Sequence, residues 1–260
     1  MTLVNYALRD GVATLTLDNP PANAYSTAMF EELDTLILQA RRDKRVEVIV
    51  VTGAGGKFFC AGADIGMLAD ADPEDKYYFC LHANETLLRL EQTPKLVIAA
   101  LNGHCVGGGL EVAMAADLRV APADLKGKVG LPEVALGVLP GTGGTQRLAR
   151  LLGRSRAIEL MAEGALLNVE QARQEGLINR LLEGSDFRVA VQEYARGFCN
   201  PGKSSRAVGH IKRAVVSGAD LPLESGLALE RELQQRLFSG LDAAEGIAAF
   251  NAGRPPQFGG

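Results

Sequence analysis

The chain has 260 residues, 47% of them hydrophobic, enough for one large domain or a main domain with a helical appendage. A net charge of −4 argues against nucleic acid as the main partner, and no apolar run approaches the roughly 18 residues of a membrane span. The N-terminus MTLVNYALRD lacks a signal-peptide plan, and Cys60, Cys80, Cys105 and Cys199 form no CxxC pair. These features lead to the expectation of a soluble, cytoplasmic protein with reduced thiols and no membrane contact.

In chain order, Leu3 to Leu8 and Val12 to Leu17 are short β-prone runs separated by Arg9-Asp10-Gly11, and Asp-Gly between such runs predicts a hairpin. After the turn-rich NPPANAY, Ser26 suits an N-cap for a helix to about Arg42, with Phe30, Leu33, Ile37 and Ala40 on one stripe. The basic cluster Arg41 to Arg45 reads as a solvated helix end that complements the dipole. Val46 to Val51 is a buried strand, followed by the long glycine-rich connection TGAGGKFFCAGAD. Lys57 is followed there by Phe58 where a phosphate loop needs Ser or Thr, so that motif fails. Asp72-Pro73-Glu74 supplies an N-cap, a first-turn proline and an acid, which predicts a helix to about Glu91.

The stretch LVIAALNGHCVGGGLEVAMAAD, Leu96 to Asp117, takes an apolar strand through Gly107, Gly108 and Gly109 into a helix carrying one acid, Glu111. The N–H groups at such a helix start are free and stabilise negative charge, and glycines let a ligand oxygen approach the backbone. Glycines also serve close packing alone, and a helical Glu is usually solvated. Glu111 is nevertheless flanked by Leu110, Val112, Ala113, Met114, Ala115 and Ala116, so no face of the helix is polar. A buried Glu needs a partner or a chemical role.

Leu118 to Ala121 reads as a strand, and the loop after Pro132 carries a second acid, Glu133. Gly141 to Gly144 opens a helix from Thr145 to Leu152; beyond it the chain to Phe250 reads as helical, with one short strand near Ile178 to Leu182. His82, His104 and His210 form no metal pattern, and no GxSxG nucleophile elbow exists. His104 and Cys105 are neighbours in an extended segment, point to opposite sides and read as packing residues. Two acids and two glycine-rich turns remain, a set suited to stabilising an oxyanion while protons move at neighbouring carbons.

The blocks KFFCAGADIGML, LNGHCVGGGLEVAMAADLRVA and LPEVALGVLPGTGGTQRLARLLG make the chain resemble an enoyl-CoA hydratase of the enoyl-CoA hydratase/isomerase (crotonase) superfamily, from NPPANAYS to AAEGIAAF. The resemblance implies an α/β fold, a spiral of ββα units over residues 1–195 holding the active site. It also implies a helical trimerisation region over 196–260, with assembly into a homotrimer or hexamer. The implied reaction is hydration of a trans-2-enoyl-CoA thioester, of the kind found in fatty-acid β-oxidation, with no metal and no cofactor besides the coenzyme A of the substrate. By the same resemblance, Ala63 and Gly108 supply the N–H groups of an oxyanion hole. Glu111 and Glu133 are the hydratase glutamates, and Gly141 is a loop glycine beside the catalytic water. The resemblance also implies that Ala61, Asp64, Ile65 and Gly66, with Ala22 and Ala24, form the surface for coenzyme A. Met67, Leu68 and the Tyr77 to Leu81 region are expected to line the acyl pocket. Tyr25 stands where the family commonly has Leu, and Gly66 where a charged residue is frequent. An isomerase or another reaction of the superfamily is the alternative; an RNA-binding protein of this fold is the alternative from another class, disfavoured because no concentrated Lys/Arg face is present beyond Arg41 to Arg45.

Overall fold

A computed structural model describes residues 2–259. Strands β1 (Val4–Arg9) and β2 (Val12–Leu17) form the expected antiparallel hairpin, with Asp10 and Gly11 both at positive φ. That conformation gives a two-residue turn whose twist matches the strands. Helix α1 (Thr27–Arg42) starts at the Ser26 cap, whose Oγ accepts from Met29 N, and buries Phe30, Leu33, Ile37 and Ala40. The basic cluster closes this helix, and Arg41 also joins α1 to the helix packed on it by donating to Thr93 Oγ1 and to the carbonyl of Arg89.

From here the chain repeats one plan. Strand β3 (Val48–Gly53) leads to β4 (Phe58–Cys60), then α2 (Ile65–Asp70) and α3 (Pro73–Glu91). Strand β5 (Leu96–Ala100) leads to β6 (His104–Val106) and α4 (Gly108–Met114). Strand β7 (Leu118–Pro122) leads to β8 (Val129–Gly130), a 3₁₀ turn (Glu133–Leu136) and α5 (Gly144–Leu152). In each unit the first strand joins a six-stranded sheet and the second a four-stranded one. The orders are β1-β2-β3-β5-β7-β10 and β4-β6-β8-β9, where β9 is Leu166–Leu167 and β10 is Arg180–Leu182. Neighbours β3, β5 and β7 are parallel, and so are β4, β6 and β8. This is the expected spiral of ββα units. The sequence shows no fixed period because the helices closing the units differ in length, 19 residues in α3 against 7 in α4.

Strand β5 and residues 48–51 of β3 are apolar because both faces are covered. Ile49, Val51, Val97 and Ala99 face α1, α3 and α4, while Val48, Val50, Leu96 and Ile98 face the other way, toward Val191 and Ala195 of α8 (Phe187–Arg196). Helices α6 (Arg154–Glu163) and α7 (Val169–Gln174) follow α5, and α9 (Ser205–Gly218), α10 (Leu223–Phe238) and α11 (Leu241–Asn251) complete the chain. Four short strands differ from the sequence expectation: β4 lies inside the glycine-rich connection, β6 intervenes between Leu96–Ala100 and the glycines, β8 precedes Glu133, and β9 adds a second short strand to the C-terminal half. Strands of two or three residues carry too little pattern to be read; only pairing with their neighbours makes them strands.

Helix α9 is tied to the sheet by Lys212, whose ammonium lies 2.8 Å from Asp117 Oδ2 with both side chains largely buried, and donates to the carbonyl of Lys95. Asp117 Oδ2 also accepts from Val97 N at 2.7 Å. Replacing Lys212 with Met strands a buried carboxylate and is expected to cost about 3–5 kcal/mol in chemical denaturation. Pairing it with Asp117→Asn should recover most of that loss.

Candidate active site

Because β4, β6 and β8 are parallel neighbours, their C-terminal ends lie side by side, and the segments leaving them meet at one edge of the small sheet. Crevices outside the carboxyl ends of parallel strands are where ligands bind in open α/β sheets. Ala61-Gly62-Ala63 leaves β4, Gly107-Gly108 leaves β6, and Leu131-Pro132-Glu133 leaves β8. A cleft of about 560 Å³ is lined there by Ala61, Ala63, Ile65, Gly108, Glu111, Glu133, Gly141 and Thr142, among others.

Ala63 and Gly108 come together through close backbone approach. A Cβ added at Gly62 would lie 2.9 Å from Gly108 N. Tyr25 pairs with the first loop, its N–H donating to Gly62 O at 2.9 Å and its carbonyl accepting from Asp64 N at 2.9 Å. Those bonds flank Ala63 and leave its own N–H unused. Among the described residues, neither Ala63 N nor Gly108 N has a hydrogen-bond acceptor. Gly107, at φ 57° and ψ −136°, turns the chain so that Gly108 opens α4 with its N–H outward.

Glu111, in the first turn of α4, is 1% exposed. Its Oε1 accepts from Thr142 N at 2.8 Å and Gly144 N at 2.6 Å, and its Oε2 accepts from the Thr142 hydroxyl. Burial raises its carboxyl pKa and outweighs these donors and the Arg147 charge, which pull it down. Glu133 begins the 3₁₀ turn, and a Cβ on Gly107 would lie 3.2 Å from its Oε1. Its Oε2 is buried without a hydrogen-bond partner among the described residues. Desolvation, with a contribution from the Glu111 charge, raises its pKa to about 7. The two acids thus differ: Glu111 is held by three donors suited to a carboxylate, whereas Glu133 is poised to carry a proton near neutrality.

The remaining sequence candidates divide. Gly141 lines the cleft, with Cys80 Sγ 3.2 Å from where its Cβ would be. Ile65 lines the mouth and is 62% exposed. Asp64 has a structural occupation, capping α2 through Met67 N at 2.9 Å, and Gly66 lies beside it. Ala22 O accepts from Ala61 N and Ala24 O from Asn19 Nδ2, so both residues buttress the loop and neither lines the cleft. Of the expected acyl-pocket residues, Leu68 reaches the cleft, while Met67 and Tyr78 line a neighbouring cavity of about 700 Å³ between α1, α2 and α3. Sequence reasoning missed Thr142, a threonine among glycines with no local signal. It saw Tyr25 only as a departure from the family residue, although that side chain is 3% exposed and lines the cleft. His104 and Cys105 pack as expected: the imidazole Nδ1 accepts from Lys128 N, and burial pushes the Cys105 thiol well up.

Paired free N–H groups beside two carboxylates in an apolar cleft, on a spiral of ββα units, define an enzyme of the crotonase superfamily. The chain belongs to the enoyl-CoA hydratase/isomerase family, whose profile matches residues 7–260. It is 37% identical over 263 residues, covering 100% of both chains, to a probable enoyl-CoA hydratase of Bacillus subtilis (strain 168). It is 35% identical over 240 residues to a short-chain-enoyl-CoA hydratase of Clostridium acetobutylicum, covering 92% of this chain and 90% of that one. A crystal structure of enoyl-CoA hydratase from Geobacillus kaustophilus HTA426 superposes with a TM-score of 0.95 at 42% identity, covering 99% of this chain and 97% of the other.

The raised Glu133 pKa has a consequence for stability. The native state holds this proton from the unfolded value of 4.5 up to about 7, so its contribution is full below 4.5 and is lost as pH rises through 7. Glu133→Gln should therefore melt a few degrees higher than wild type at pH 8, and the two should converge below pH 5. Differential scanning fluorimetry across this range checks it, an unchanged gap at all pH values being the adverse result.

Proposed function

We propose that the protein hydrates a trans-2-enoyl-CoA thioester to the 3-hydroxyacyl-CoA, reversibly. The observation that carries this reading is the pair of acids in unlike environments, Glu111 buried among donors and Glu133 half-buried with one oxygen unpartnered, beside the two unused N–H groups. The names of the hydratases to which the chain is similar support it. With the thioester carbonyl oxygen on Ala63 N and Gly108 N, negative charge developing at that oxygen is stabilised, which makes C3 of the enoyl thioester electrophilic and, in the reverse direction, acidifies C2 of the 3-hydroxyacyl thioester. The Glu111 carboxylate takes a proton from water as the water oxygen bonds to C3. The C2–C3 double-bond electrons move into the enolate, and protonated Glu133 then delivers its proton to C2. The product carries hydroxyl on C3 and hydrogen on C2. Glu111 holds the proton from water, and its transfer to Glu133 restores the starting state. No cofactor beyond the coenzyme A of the substrate is needed.

Coenzyme A would enter over Ala61 to Gly66 and Ala22 to Ala24, with the acyl chain among the apolar side chains of the cleft. We place the boundary of the catalytic core near residue 195, with residues 196–260 for assembly into a homotrimer or hexamer. Exposed apolar side chains support this placement: on α10 and α11, Leu223 is 78%, Phe238 67%, Leu241 88% and Phe250 86% exposed. No helix among the described residues is long and apolar enough to cross a membrane, and free thiols at all four cysteines support a reducing, cytoplasmic setting.

Loss of the conjugated enoyl absorbance tests the reaction. Glu111→Gln and Glu133→Gln should each lower kcat by about 10²- to 10⁴-fold with smaller effects on KM, and the double variant should lose far less than their product. A wild-type enzyme that isomerises 3-enoyl thioesters and hydrates none of the 2-enoyl thioesters offered would make it an isomerase instead. In light scattering the active protein should run as a trimer or hexamer; a fully active monomer at micromolar concentration would contradict the assembly.

A further inference from the structure

Tyr25 belongs to neither the oxyanion hole nor the acid pair, yet its hydroxyl lies between them. Its ring is fixed by an edge contact with Phe30, centroids 4.8 Å apart, and by stacking on Phe79 at 5.9 Å. Fixed in this way, the hydroxyl covers Gly108, where an added Cβ would overlap it, and sits 3.3 Å from Thr142 Oγ1. Only glycine fits beneath the phenol, so Gly108→Pro would disturb packing as well as remove a donor. The proton inventory sets the direction of the chain. As the carboxylate that the proposed reaction uses, Glu111 only accepts, so the single hydroxyl hydrogen of Thr142 then goes to Glu111 Oε2, and the phenol hydrogen goes to Thr142 Oγ1. Burial and the neighbouring Glu111 charge push the Tyr25 pKa well up, which keeps it a neutral donor.

We propose that Tyr25 and Thr142 are positioning residues that form a donor relay, Tyr25 to Thr142 to Glu111, holding Glu111 as an oriented carboxylate. The inference rests on the hydratase reading for its kinetic consequence, although the relay itself is a statement about Glu111. Its physical basis is that a donor to a charged acceptor is worth more than a neutral pair, and that a donor which itself accepts a hydrogen bond is polarised further. The other titratable or charged groups near this relay are Arg147 of α5, which pairs with Glu91 of α3 at 2.8 Å and lowers the Glu111 pKa, Glu133 of the 3₁₀ turn, and the neutral thiol of Cys60 at the end of β4, pushed up to about 12.

Removing the Thr142 hydroxyl withdraws a bond that favours the charged form, so the Glu111 pKa rises and activity fails at a higher pH on the acid side. Thr142→Val should lower kcat about tenfold with KM within about twofold, and move the acid limb of kcat up by about one pH unit. Thr142→Ser should restore both, and Tyr25→Phe should shift the limb in the same direction by less. Infrared titration of the protonated Glu111 carboxyl band, assigned by its loss in Glu111→Gln, reads the same shift without turnover. An unmoved band in both Thr142→Val and Tyr25→Phe overturns the relay, and Thr142→Ala replaces the valine variant if that does not fold. A wild type that hydrates no enoyl thioester would overturn the proposed reaction and leave the band to decide the relay.

Discussion

The parallel alignment of three very short strands is the constraint from which the site follows. Strands β4, β6 and β8 together contain eight residues, yet their pairing places the chain segments after Cys60, Val106 and Gly130 at one edge. Two of those segments expose backbone N–H groups and the third delivers Glu133. Such short strands cannot hold themselves in place. The six-stranded sheet, covered on both faces, supplies that rigidity, because each unit contributes a strand to both sheets and moving one moves the other.

Within the cleft the controlling quantity is desolvation. Both glutamates are pushed toward the neutral form by burial, and what separates them is the supply of donors. The start of α5 brings two backbone N–H groups and a threonine hydroxyl to Glu111, whereas one oxygen of Glu133 is left without any. One apolar cavity thereby holds one acid surrounded by donors, its pKa raised by burial in spite of them, and one pushed up to about 7.

Tyr25 shows how closely fold and site are coupled. Its backbone holds the Gly62 to Asp64 loop, its ring belongs to the core with Phe30 and Phe79, and its hydroxyl ends over Gly108 beside Thr142. A single residue therefore links the packing of α1 and α3 to the geometry of both donors and of Glu111.

Long elements were legible from sequence because each carries its own signal. The Asp10-Gly11 turn, the Ser26 and Asp72 caps and the apolar runs of β3 and β5 are local patterns, and they appear in the structure within a residue or two of their expected ends. Glu111 and Gly108 stood out because an acid and glycines in an apolar helix start are chemically out of place. Strands β6, β8 and β9 and the distinction between the two acids were decided by tertiary structure alone. The donors to Glu111 lie 31 to 33 residues away, and the Tyr25 hydroxyl meets a threonine 117 positions along the chain. Pairing over such separations leaves no periodicity in a sequence, because it depends on which segments the packed sheets bring to the same edge.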